Sequence, residues 1–138
     1  MPALWASMIT SDNKHFWEAY SSTPEIPNSA AWAMFLRVHD ELTLEMVDVK
    51  TRKLIYDNLV DKGAEFRKGL GVSGRMANFF DNNPKRIKQA FSILLSLPGV
   101  PIIYYGDEIA AQNNFEYAEQ AAENRQKEQE SKDSDIKV

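Results

Sequence analysis

The stretch Phe35-Leu36-Arg37-Val38-His39-Asp40-Glu41-Leu42-Thr43-Leu44-Glu45 decides the fold. An apolar run breaks off at a histidine followed by two carboxylates. In parallel α/β proteins charge gathers where a strand leaves the core, because there the backbone turns into loops that reach water. His39, Asp40 and Glu41 are therefore the first candidate site residues, and the chain is expected to supply one wall of a site. Just upstream, Trp32 to Val38 is nearly continuous in apolar residues, which predicts a strand covered on both faces, as in a parallel sheet. Arg37, beside the end of that strand, is expected to pair with a carboxylate inside or outside this chain, since an unpaired buried charge is prohibitive.

A second strand is expected over Val100-Pro101-Ile102-Ile103-Tyr104-Tyr105, stopped by Gly106 and tipped by Asp107 and Glu108. For these two carboxylates the acceptance of loop amides is favoured over contact with a ligand. Two helical segments lie between the strands. The first covers about 49–60, with Leu54, Ile55, Leu59 and Val60 inward and Gly63 closing it. The second starts with Asn83 as N-cap and Pro84 at the first position, and carries Ile87, Ala90, Phe91, Leu94 and Leu95 along one face. A strand-helix-strand order implies parallel strands joined by a right-handed crossover, which puts both acidic tips on one rim. The glycine-rich stretch 68–75 lacks a Gly-Lys-Ser/Thr triplet and a complete Gly-x-Gly-x-x-Gly spacing, so a flexible loop on the substrate side is favoured over a phosphate cradle.

Leu4, Trp5, Met8 and Ile9 recur at helical spacing, so the first residues read as the end of a helix or as one whose beginning has been removed. Ser11 or Asp12 is expected to cap a second helix over 14–20, with Phe16, Trp17 and Tyr20 inward, and Pro24 and Pro27 to stop it. Trp5, Trp17 and Trp32 are read as core residues rather than stacking platforms, His15 as an exposed helix residue, and Glu41 and Glu45 as loop and helix N-terminal carboxylates. From about Asn113 the composition turns polar. A solvated helix over 117–130 and then a loose end are expected, dividing the chain into 1–112 and a tail of 113–138.

Composition narrows the function classes. Hydrophobic residues make up 43% and charged residues 26%, a globular balance. The 16 Lys and Arg against 20 Asp and Glu leave a net charge of -4, which argues against a nucleic-acid partner. Without cysteine, and with only His15 and His39 as imidazoles, neither a thiolate site nor an imidazole-rich metal cluster is expected. No secretory leader and no membrane-spanning run is visible, which fits a cytoplasmic setting.

The strand and tip Phe35-Leu36-Arg37-Val38-His39-Asp40-Glu41 resemble the fourth signature region of the α-amylase superfamily. In that family a Phe-x-x-Asn-His-Asp stretch ends the seventh strand of a catalytic (β/α)₈ barrel. Pro98-Gly99-Val100-Pro101-Ile102-Ile103-Tyr104-Tyr105-Gly106-Asp107-Glu108-Ile109 is similar to its eighth strand, Gly-x-Pro-x-Ile-Tyr-Tyr-Gly-x-Glu. Thr23-Pro24-Glu25-Ile26-Pro27, Trp32-Ala33-Met34, His39-Asp40-Glu41-Leu42-Thr43-Leu44-Glu45-Met46-Val47 and Leu94-Leu95-Ser96-Leu97-Pro98-Gly99 resemble the members that interconvert maltose and trehalose. The likeness covers about 1–114.

The resemblance implies a helix-rich α/β chain, part of a (β/α)₈ TIM barrel, with an α-glucoside such as maltose or trehalose and the rest of the barrel as partners. The family's nucleophile and general acid/base sit on its fourth and fifth strands, outside the matched region, so the chain alone is expected to be inactive. Asp40 matches the third carboxylate, which stabilises the transition state by holding ring hydroxyls, and His39 matches a histidine that donates to the same sugar. Arg37, Glu41, Asp107 and Glu108 are implied at most as structural or loop support. No cofactor is implied, and a calcium requirement of a parent enzyme stays open. Val38 departs from the family asparagine. A non-catalytic module that binds α-glucan or complements a barrel is the alternative.

Overall fold

The computed structural model describes residues 1–135. Helices dominate it, joined by two small sheets. The chain opens with α1, Pro2–Thr10, whose Pro2 sits where a missing N–H costs nothing, and Ser11 ends it in the left-handed region at φ 56°. Helix α2, Lys14–Ser21, matches its expected bounds, but its N-cap is Asn13 rather than Ser11 or Asp12. Asp12 contributes one step out, accepting the Lys14 N–H at 2.9 Å.

Strand β1, Ala33–Met34, pairs in parallel with β5, Val100–Pro101. The direction matches the strand-helix-strand reading; the length and burial do not. Flanking the pair, Val100 N–H donates to the Trp32 carbonyl at 2.8 Å and Ile102 N–H to the Met34 carbonyl at 2.7 Å. Val100, Ile102 and Trp32 are exposed rather than covered on two faces. Among the described residues no third strand flanks this pair, so the ladder stops and the apolar faces stay open.

The chain then makes a turn that the sequence pattern did not announce. Val38 and Glu41 bond each other reciprocally at 2.9 and 3.1 Å, closing a two-residue hairpin with His39 and Asp40 at its corner and His39 at φ 53°. Glu41 is thus the first residue of a strand, β2, Glu41–Thr43, and not a loop carboxylate. The glycine-rich stretch is ordered too: β3, Ala64–Phe66, and β4, Gly71–Ser73, join β2 in a three-stranded antiparallel sheet of order β2-β4-β3. Gly71 fits because a Cβ there would lie 2.6 Å from the Leu42 carbonyl.

Helix α3, Val49–Leu59, is capped by Asp48, whose carboxylate accepts from Lys50 N–H at 2.9 Å, Thr51 N–H at 3.0 Å and the Thr51 hydroxyl at 2.6 Å. A 3₁₀ turn over Val60–Lys62 extends it to Gly63. After the short α4, Met76–Phe79, comes α5, Pro84–Ser96, with the expected Asn83 cap accepting from Lys85 and Arg86 N–H. A 3₁₀ turn over Asp107–Ile109 leads to α6, Phe115–Asp135. That helix runs five residues past the expected end at 130, while the expected loose end at 136–138 lies outside the described residues.

The core gathers where α1, α3, α5 and the antiparallel sheet meet: Trp5, Leu44, Ile55, Leu59, Val72, Met76, Phe79, Phe80 and Leu94 are all essentially inaccessible. Trp5 stacks on Phe80 at 4.7 Å between centroids and meets Phe79 edge-on at 5.7 Å, while its indole N–H donates to the Leu36 carbonyl at 2.8 Å. That bond fastens α1 to the segment leading into the hairpin. Of the inward face expected for Phe16, Trp17 and Tyr20 on α2, only Phe16 turns in, half-buried against the core, while Trp17 and Tyr20 are exposed.

The cap of α3 carries a pH signature. Hydrogen bonds from Thr51 first, and then from the Lys50 amide, hold the Asp48 carboxyl below its ordinary value of 3.8. A depressed folded value contributes stability above 3.8 that is lost as the pH falls through the lowered one. In urea titrations between pH 7 and pH 2, Asp48→Ala is expected to lower the midpoint at neutral pH and to converge on the parent below pH 3.8; a gap that stays constant down to pH 2 counts against it.

Candidate functional site

Two guanidinium groups and two carboxylates meet at the end of the parallel pair. Arg37, with only 1% of its side chain exposed, donates from Nη1 to Asp107 Oδ2 at 2.6 Å and from Nη2 to Asp107 Oδ1 at 3.0 Å. This is the bidentate geometry that fits a planar fork to a carboxylate. Its Nε donates to the Gly74 carbonyl at 3.0 Å, and Nη2 is shared with Asp40 Oδ1 at 3.0 Å. Arg75, just before α4, adds a second fork: Nη1 to Asp40 Oδ1 at 3.0 Å, Nη2 to the Tyr105 carbonyl at 2.7 Å and, more weakly, to Asp107 Oδ1 at 3.3 Å. Arg75 Nε is buried with no partner among the described residues.

The backbone around the cluster is shaped to admit it. Gly106 sits at φ 85°, where L side chains are strained, and a Cβ there would lie 2.5 Å from Arg75 Nη2. Asp40 is fastened through its carbonyl, which accepts from Gly74 N–H at 2.7 Å. Asn113 braces the far side, accepting from Arg75 N–H at 2.6 Å and donating to the Lys62 carbonyl at 3.0 Å. Tyr104 lies under both guanidinium groups, 5.5 Å from that of Arg37 and 5.3 Å from that of Arg75, and its ring centroid is 5.4 Å from the His39 ring. Loss of solvent contact, followed by its neighbour Tyr105 and the Asp40 charge, pushes the Tyr104 phenol above its ordinary value. It therefore stays protonated, and a donor, through neutral pH.

The sequence candidates separate within this geometry. Asp40, His39, Arg37 and Asp107 come together; Glu41 and Glu108 do not. Asp107 does not accept loop amides as expected but both guanidinium groups, because burial leaves its charge no solvent to turn to. The partner of Arg37 is thus found within the chain. Glu108 is exposed and lines an apolar groove of about 420 Å³ with Ile87, Phe91 and Leu95. Arg75 and Tyr104 were missed. Arg75 stood inside the glycine-rich stretch with no periodic pattern around it, and Tyr104 was counted as a buried strand residue.

Chemically, the corner is a fixed carboxylate with one occupied and one open oxygen. Both arginines bind Asp40 Oδ1, while Oδ2 takes no hydrogen bond from the described residues and 41% of the side chain is exposed. His39 beside it is exposed and free of hydrogen bonds among the described residues. An open acceptor on Asp40 and an unbonded imidazole on His39 thus sit side by side at the hairpin corner, a pairing suited to a polyhydroxylated ligand. The groove on the other side of Asp40, about 620 Å³, runs past Arg75 and Gly106 to Asn113 and Tyr117 and does not include His39. Among the described residues no three Asp, Glu or His side chains gather closely enough to hold a metal ion.

No family model matches the chain. Curated proteins do. Over 109 residues it is 39% identical to the trehalose synthase/amylase TreS of Mycobacterium tuberculosis, a match covering 79% of this chain and 18% of that protein. It is 37% identical over 115 residues to the trehalose synthase of Pimelobacter sp., covering 83% and 20%. To the trehalose synthase of Thermus thermophilus it is 35% identical over 114 residues, covering 83% and 12%. By these matches the chain is a relative of proteins named trehalose synthase, one of them also named an amylase. More narrowly, it is homologous to a part of trehalose synthases, spanning at most a fifth of their length.

The cluster has a measurable stability signature. Removing one partner of a buried pair leaves an uncompensated charge, which costs about 3–5 kcal/mol. Arg37→Met is expected to lose about that much in urea unfolding, and Arg37→Met/Asp107→Leu to regain a good part of it. A loss below about 1 kcal/mol for the single variant would mean that the pair behaves like an exposed one.

Proposed function

We propose that this chain is the section of an α-amylase-type catalytic barrel that carries its seventh and eighth strands, and that the parent enzyme rearranges or cleaves α-glucosidic bonds, with maltose and trehalose interconversion as the favoured reaction. The observation that carries this is the shared rim: β1 and β5 are parallel, and the carboxylates after them, Asp40 and Asp107, are held by the same two arginines. The names of the relatives supply the substrate class.

In this reading β1 and β5 are two staves of a larger cylinder. Asp40 is neither nucleophile nor proton donor. Its open oxygen accepts ring hydroxyls of the bound glucosyl unit, and His39 donates to the same sugar. Both contacts strengthen as the ring distorts and its anomeric carbon gains oxocarbenium character, so their contribution is largest in the transition state. Arg75 and Arg37 act on the sugar through Asp40: by holding Oδ1 they fix the direction of the other oxygen before the ligand arrives. Retaining chemistry also needs a carboxylate nucleophile and a carboxylic acid on opposite sides of the scissile bond, and this assignment puts both on strands outside this chain. Val38 places an apolar, exposed side chain where the family has an amide, removing one hydrogen bond worth about 1 kcal/mol from the sugar side.

A second reading, a module that completes another barrel fragment, is favoured by the open apolar faces of Trp32, Val100 and Ile102. It uses the same surfaces and differs in where the catalytic groups reside.

Two measurements on the purified chain decide the main assignment. Incubated with maltose and followed by proton NMR, the chain is expected to produce neither trehalose nor glucose; appreciable turnover would place the bond-breaking groups here after all. Titrated with maltose, the His39 ring resonances are expected to shift, and Asp40→Asn to abolish the shift with the fold intact. Ring signals that stay fixed as maltose is raised to saturating levels would remove His39 and Asp40 from any sugar site.

A further inference from the structure

Helix α2 carries the least explained surface of the molecule. Its three aromatic residues, read from spacing as core, form a mutually packed and largely exposed set. Phe16 lies 5.3 Å from Trp17 and 5.8 Å from Tyr20, Trp17 meets Tyr20 edge-on at 5.6 Å, and Trp17 is 52% exposed. Neither the Trp17 indole N–H nor the Tyr20 hydroxyl has a partner among the described residues. The set is nonetheless anchored. The Phe16 N–H donates to the buried Ser7 hydroxyl at 2.9 Å, Asp12 N–H bonds the Ser7 carbonyl at 3.2 Å, and the half-buried Phe16 ring packs against the core, so α2 is tied to α1 while Trp17 and Tyr20 stay exposed.

In front of Phe16 and Trp17 lies a concavity of about 470 Å³ with Leu4, Met8 and Ile93 in its lining and a polar rim of Asp12, Asn13, Arg86 and Gln89. The volume lies in the range of small-molecule sites. Asp12 uses one carboxylate oxygen on Lys14 N–H, Arg86 uses Nη2 on the Met8 carbonyl at 3.0 Å, and the Asn13 and Gln89 amides make no hydrogen bond among the described residues. The wall thus keeps both donors and acceptors to spare, and its two charges are opposite.

We propose that this concavity is a second carbohydrate-binding site, taking one or two pyranose units of an α-glucan chain. A pyranose presents an apolar face of C–H groups and a belt of hydroxyls that both donate and accept. Those are the two halves of this site, an aromatic platform and a mixed amide and charged rim. An ionic ligand would meet the opposite charges of Asp12 and Arg86 with equal force. The platform is preorganised by the Ser7 hydroxyl, so little ordering has to be supplied on binding. The site shares no residue with the Asp40 cluster and stands or falls apart from it.

The test is intrinsic tryptophan fluorescence of the purified chain titrated with maltotriose, with sedimentation velocity run on the same samples. Trp5 is buried and Trp32, just before β1, is exposed, so a Trp32→Phe background isolates Trp17 as the responding ring. Maltotriose is expected to shift and quench that emission saturably, and Gln89→Ala to weaken the response roughly ten-fold with its amplitude intact. Trp17→Phe, which keeps a ring, read by NMR shifts of Asn13 and Gln89, is expected to bind more tightly than Trp17→Ala. Asp40→Asn is expected to leave the Trp17 response unchanged, whatever becomes of the His39 signal. No saturable response, a response abolished by Asp40→Asn, or a concentration-dependent dimer dissolved by Trp17→Ala with no effect of sugar would each overturn the proposal, the last in favour of a contact between copies.

Discussion

The guanidinium of Arg37 is the constraint around which this structure is arranged. It is buried to 1% exposure at the end of a strand, and every N–H group that it uses is spent on oxygen from a different part of the chain: the Gly74 carbonyl, Asp40 and Asp107. A buried cation is tolerable only when its desolvation is offset by several charge-assisted bonds of good geometry. The hairpin corner, the approach to α4 and the turn after β5 are therefore positioned by one another. Gly106 and the backbone of Gly74 belong to this arrangement as much as the charged residues do, since they leave the space into which the two forks fit.

Two kinds of order meet in the fold. The hydrophobic core around Trp5, Phe79 and Phe80 is complete and well packed without help from elsewhere. The parallel pair is the reverse: two short strands with apolar side chains open to solvent and hydrogen bonding on one side only. The two differ because helices close over their own core, while a strand presents unpaired backbone groups along any edge without a neighbour.

What the sequence revealed and what it hid divide along the same physical line. Local signals were read well: Asn83 and Pro84 opened α5, and the periodic residues of α1 and α3 placed those helices. The parallel direction of β1 and β5 followed from chain order alone. Strand length and burial did not, because Ile102 and Val100 have the composition of covered residues whether or not a cover is present. The antiparallel sheet was hidden since Gly71 and its neighbours show no alternation, and their strand state is imposed by pairing with Leu42 and Glu65. Of the site, His39 and Asp40 were visible through their type and position, and Arg37 through its burial. Arg75 and Tyr104 reach the cluster through contacts 29 to 67 residues distant, which no local pattern encodes.

The distance along the chain between Arg37 and Asp107, 70 residues, has a bearing on synthesis. While the polypeptide grows, both arginines are made well before the carboxylate that neutralises them inside the fold. Until the turn after β5 has left the ribosome, a nascent chain that packs the core early holds two cations against the single carboxylate of Asp40. Docking of that turn then completes the charge balance of the cluster, and a chain interrupted before it would carry an electrostatic mark distinguishing it from one that had passed it.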